Sequence, residues 1–72
     1  MRDYHINVFY NEEDEGYIAD IPDLQNCSAW GNTPEEALHE LLIAKEVWLE
    51  AARNEGKTIP PPSYRPLIYK IA

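Results

Sequence analysis

Cysteine, glycine and basic side chains are what this sequence has least of. One cysteine, Cys27, among 72 residues excludes an internal disulfide and supplies a single sulfur ligand, too few for a structural zinc site. The three glycines, Gly16, Gly31 and Gly56, stand far apart, so no glycine-rich loop can cradle a phosphate. No apolar run approaches ~18 residues, the length of a membrane-crossing helix. Met1-Arg2-Asp3-Tyr4-His5 runs directly into a strand pattern instead of an apolar signal region, which predicts a cytoplasmic chain. Ser28 and Ser63 have no nucleophile elbow around them.

What remains is an ordinary globular composition, 44% hydrophobic and 26% charged, enough for one small domain over residues 1–72. A chain this short hides a smaller fraction of its surface than a larger domain does. Self-association would bury a face that a monomer leaves wet, so a homo-oligomer, a dimer or tetramer, is expected.

Acidic residues dominate the charge, thirteen Asp and Glu against six Lys and Arg, net -7. They are concentrated: residues 1–50 hold twelve acids and two bases, net -10, whereas residues 51–72 hold one acid and four bases, net +3. An acidic body repels phosphate backbones, so direct nucleic-acid binding is disfavoured. A basic protein partner and mere solubility both account for this charge.

Punctuation divides the chain into elements. Tyr4, Ile6, Val8 and Tyr10 alternate with His5, Asn7 and Phe9, the period-two mark of a strand. Asn11 to Gly16 is a polar turn, with Gly16 free to adopt positive φ. Tyr17–Ile21 resumes a strand that Pro22 closes, and Leu24 is the one apolar residue of the next turn. Cys27–Trp30 reads as a third strand ended by Gly31.

Thr33-Pro34-Glu35-Glu36 then combines an N-cap threonine, a first-turn proline and a glutamate placed for a capping box. Leu38, Leu41, Leu42, Val47, Trp48, Leu49 and Ala52 recur at three- and four-residue spacings, interrupted by Lys45, which predicts an amphipathic helix over 34–55 with Gly56 past its end. Such a helix is about 33 Å long, so its far end, near Trp48, is expected to overhang the sheet. Trp48, Leu49 and Ile68 are the expected oligomer contacts. Residues 57–63 form a Pro-rich connector, and a last strand is expected over 66–71, preceded by Tyr64 and Arg65. The reading is α+β, a small antiparallel sheet with one long helix on one face, in the order β-β-β-α-β.

Catalytic constellations are scarce. Glu12, Glu13, Asp14 and Glu15 are consecutive in a turn, where little is expected to fix the separation that paired catalytic carboxylates need. Asp20 could join acids at a metal, but a residue there is more often on a wet strand face. His5 and His39 have no activating neighbour in sequence, and Cys27 reads as a small core residue. No enzyme activity, cofactor or metal is expected.

Gly16-Tyr17-Ile18-Ala19-Asp20-Ile21-Pro22-Asp23-Leu24, then Asn26-Cys27, then Gly31-Asn32-Thr33-Pro34-Glu35-Glu36-Ala37 resembles the HicB family, the antitoxins of HicA–HicB toxin–antitoxin systems and their short relatives. The similarity runs from about Tyr4 to Pro62 and includes Ile59-Pro60-Pro61-Pro62. Asn26 stands where the family usually has glycine, and Trp30 where a polar residue is common. The resemblance implies a small sheet with one helix, assembly as dimers or tetramers, and a small basic messenger-RNA-cleaving HicA-like toxin as partner, bound over its active site. With Ala72 last, the family's C-terminal DNA-binding segment is not expected, and DNA-dependent autoregulation does not carry over. Two classes stay open: an antitoxin whose acidic turn, Glu12 to Glu15, meets the toxin, and a stand-alone oligomer with an unknown small-molecule or protein partner.

Overall fold

A computed structural model describes residues 3–65. Three strands, β1 (Asn7–Asn11), β2 (Gly16–Asp20) and β3 (Ser28–Gly31), precede one helix, α1 (Pro34–Asn54). The strands form an antiparallel sheet in the order β1-β2-β3, and α1 lies across one face, closest to β3 and β2. The expected strand over 66–71, with Ile68, lies outside the described residues, while Tyr64 and Arg65 have no regular structure.

Register fixes which side chains share a face. Val8 pairs with Ala19 and Ala19 with Ala29, whereas Phe9 pairs with Ile18 and Ile18 with Trp30. Successive side chains of a strand point to opposite faces. Ala19 and Ala29 pack in the core with Ala37 and Leu41 of α1, so the helix covers the Val8-Ala19-Ala29 face and leaves the Phe9-Ile18-Trp30 row outside. The first strand begins at Asn7, later than the alternation from Tyr4 predicts. The β1–β2 ladder ends at the pair Asn7–Asp20, next to Ile21 and Pro22, and proline has no N–H to extend it. Tyr4 and Ile6 still pack against the core.

Ile21, Leu24, Cys27, Ala19, Ala37 and Leu41 make the buried centre. The loop from Ile21 to Cys27 folds over it through two turns: the Leu24 N–H donates to the Ile21 carbonyl and the Cys27 N–H to the Leu24 carbonyl, each at 3.1 Å. Leu24 is thereby inserted and is 1% exposed. Asn26, at the place of the usual glycine, adopts φ 63, a left-handed conformation that asparagine tolerates better than most residues.

The helix starts where its cap signals predict. The Thr33 side chain accepts from the Glu36 N–H at 3.0 Å, but the Glu36 carboxylate reaches one residue further back than a capping box requires and accepts from the Asn32 N–H at 3.1 Å. At the other end Glu55 is the C-cap. Gly56 (φ 70) lets its own N–H reach the Arg53 carbonyl and the Lys57 N–H reach that of Ala52, at 3.2 and 2.8 Å, the paired bonds of a Schellman motif.

Only part of the predicted apolar stripe faces the sheet. Ala37, Leu41 and Ala52 are buried, and Ala44, Trp48 and Leu49 pack partly against the core, but Leu38, Leu42 and Val47 are exposed, Val47 by 63%. The far end of α1, near Trp48, finds its cover within the chain. The Trp48 indole donates to the Gln25 carbonyl at 2.9 Å, so the loop between β2 and β3 covers it. Lys45, which interrupts the stripe, pairs with Asp3 at 3.0 Å and lies 5.8 Å from the centre of the Tyr4 ring.

Candidate partner-binding surface

The turn joining β1 to β2 holds the four consecutive acids, all exposed. Their backbone is more tightly held than its polarity suggests. The Glu15 N–H donates to the Glu12 carbonyl at 3.2 Å, and the Glu13 N–H to the Asn11 side chain at 3.0 Å. A third bond comes from β3: the Trp30 indole N–H donates to the Asp14 carbonyl at 3.2 Å. Gly16 is free to adopt positive φ, but the left-handed residue of the turn is Glu15 (φ 49). Gly16 serves a different end, because a Cβ there would collide with the Trp30 ring. Missing that side chain, the strand lets the indole lie against it and reach the acidic turn.

Trp30 is also one end of the outer row. Phe9 and Trp30 are 47% and 41% exposed, and Ile18 between them is half-buried. Beside this row, Asn7, Asp20 and Ser28 are register partners on the same face. Asp20 has one carboxylate oxygen shielded from solvent and without a hydrogen-bond partner among the described residues. An acidic tip and an aromatic sheet face are therefore continuous through Trp30. Sequence reasoning found the acids and missed this row, although the period-two alternation of all three strands already places Phe9, Ile18 and Trp30 opposite Val8, Ala19 and Ala29.

A second cluster ties the Pro-rich connector down. The Tyr4 hydroxyl donates to the Pro60 carbonyl. Asp23 accepts from the Ser63 hydroxyl at 2.9 Å, the Ser63 N–H at 3.0 Å and the Tyr64 N–H at 3.0 Å, and these donors, Tyr64 first, hold its carboxyl below the ordinary 3.8. His5 contacts the Asn7 side chain at 2.7 Å and its ring lies 4.8 Å from that of Tyr64. His39 is exposed on the helix. An open cleft runs between this connector and the end of α1, lined by Trp48, Ala52, Pro60 and Pro61 with Gln25 and Asp23 opposite.

Chemistry of the nucleophilic or metal-bound kind finds little material. Cys27 is 4% exposed, and burial pushes its thiol up, away from the reactive thiolate. Among the described residues no three His, Cys, Asp or Glu side chains are placed to hold a metal. The expected oligomer contacts Trp48 and Leu49 both pack on their own core, while Leu38, Leu42, Ile43 and Val47 expose apolar surface on the helix. No helix among the described residues is long and apolar enough to cross a membrane.

Comparison with known proteins places this sequence in a group. The family model described as HicB_like antitoxin of bacterial toxin-antitoxin system matches residues 4–68. A curated relative, the UPF0150 protein ssl0259 of Synechocystis sp. (strain ATCC 27184 / PCC 6803 / Kazusa), is 43% identical over 53 residues, covering 74% of this chain and 73% of that protein. No solved structure matches the chain.

Proposed function

The chain belongs to the HicB-like antitoxin family of bacterial toxin–antitoxin systems, and from that premise we propose that it neutralises a small basic messenger-RNA-cleaving toxin by covering the toxin's active site. Antitoxins of this kind are binding proteins, generally without enzymatic activity. The observation that carries the reading is the acidic turn of β1 and β2, four exposed carboxylates on a backbone held by three hydrogen bonds. Four like charges on one turn attract a basic partner and speed encounter, and the net charge of -10 over residues 1–50 extends the attraction beyond the turn.

Expression beside a HicA-like toxin encoded next to its own gene should stop messenger-RNA cleavage and yield a complex that weakens with salt. A toxin that goes on cleaving in the presence of excess chain overturns the proposal. The second reading, a stand-alone oligomer with another partner, is favoured by the apolar residues that α1 exposes at Leu38, Leu42, Ile43 and Val47. Leu38 with Leu42 and Ile43 with Val47 lie on two flanks of the helix, and self-association over either flank is compatible with either role. Light scattering should then give at least twice 8.3 kDa, and a particle of the single-chain mass at micromolar concentration argues against it.

A further inference from the structure

Building on the binding role proposed above, we infer that the basic partner docks on the outer face of the sheet, with Phe9, Ile18 and Trp30 as the apolar centre and the Glu12–Glu15 turn as the charged rim, and that the segment it inserts there carries arginine beside an apolar side chain. The row crosses all three strands in register, and side chains directly opposite on one sheet face are about 5 Å apart, so the three form one continuous patch. Its ends are aromatic and nearly half exposed. An apolar aromatic centre inside a polar rim is the usual anatomy of an interface hot spot.

Trp30 is set for this use before any partner arrives. The bond from its indole N–H to the Asp14 carbonyl and its seat on Gly16 fix the ring, so little side-chain freedom is left to lose on docking. The same bond places the ring beside the acidic turn. A guanidinium can stack on an indole face and still direct its N–H groups to a carboxylate in pairs, whereas a lysine ammonium meets the same site as a point charge. The exposed apolar flank of α1 lacks this combination: Ile43 and Val47 are aliphatic and give a cation no ring.

The test uses the full chain, isotope-labelled for NMR, titrated with a capped octapeptide of alternating arginine and leucine. Amide shifts should concentrate in β1, β2 and β3 and at the Trp30 indole. The double variant Phe9→Thr, Ile18→Thr keeps strand-forming residues and should weaken binding about tenfold, while Val47→Ser should not change it. The lysine–leucine analogue should bind more weakly. Shifts confined to α1 or the connector, undiminished binding by a folded double variant, or equal binding of the lysine analogue would overturn the inference. So would concentration-dependent shifts of the same row without peptide, which would assign the face to a second copy. A toxin left active by the chain sinks the antitoxin role without moving these peptide shifts. Conversely, a neutralised toxin with no shifts on this face sinks the docking site alone.

Discussion

At the scale of single residues, the fold depends on two places where a side chain is missing and one where it is capped. A Cβ at Gly31 would run into the backbone of Ala37, and backbone cannot swing aside as a flexible side chain does. Gly31→Ala should therefore lower stability by about 1–3 kcal/mol, the range for overpacking, read from the denaturation midpoint. Thr33→Ala removes the acceptor of the Glu36 N–H and should cost about 1 kcal/mol. An unchanged midpoint would mean that water replaces the hydroxyl without loss. The cap was legible in sequence because all its partners lie within four residues. The role of Gly16 was not, since its neighbour Trp30 is brought beside it only when β3 pairs with β2. The left-handed residue of the turn is Glu15 because Gly16 already pairs with Asn11 as the first residue of β2, leaving Glu15 as the last residue of the turn.

At the scale of elements, the helix was found with its cap and end nearly in place, but its buried face was misread. Leucines and valine invite burial by hydrophobicity, yet three strands form a narrow sheet and contact only a narrow side of α1. Close approach at Gly31 requires a small residue at Ala37, and Ala44 packs on the same core, while Leu38, Leu42 and Val47 fall to the flanks. Leu41→Ala, at the buried centre, should consequently cost about 2–5 kcal/mol, far more than Val47→Ala at the exposed flank. The connector gives a pH-dependent test. Because the folded chain holds the Asp23 carboxyl below its ordinary 3.8, the attachment of Ser63 and Tyr64 is complete above that value and is lost as pH falls through the lower folded one. The amides of Ser63 and Tyr64 should shift in that acid window, and Asp23→Asn should abolish their titration. Asp3 is also held below its ordinary value, chiefly by the hydrogen bond from Lys45, so local amides are a better readout than global melting. None of this clamp was legible beforehand, since its partners stand 40 and 41 residues apart and no local pattern links them.

At the scale of the whole molecule, charge is the property that sequence conveyed most fully, because net charge needs no fold. Its organisation did need one: register and the Trp30 bond turn four neighbouring acids into a fixed tip joined to an aromatic face. Replacing Glu12, Glu13, Asp14 and Glu15 with serine should slow association with a HicA-like toxin by about tenfold at low salt, with a smaller effect at physiological ionic strength. Stopped-flow mixing at two salt concentrations separates the two regimes. An on-rate indifferent to the substitutions would move the attractive surface elsewhere on the body.

The buried thiol gives this molecule an internal clock. Cys27 lies under the corner where β2 turns toward β3, with its N–H bonded to Leu24 and its carbonyl to Ile21. A thiol-specific reagent reaches the sulfur only when its cover of Ile21 and Leu24 opens, so the labelling rate reports how often this part of the core is exposed. A partner seated across the three strands would make those openings rarer and slow the labelling. One shielded atom would then time the attachment of another protein on the opposite side of the sheet.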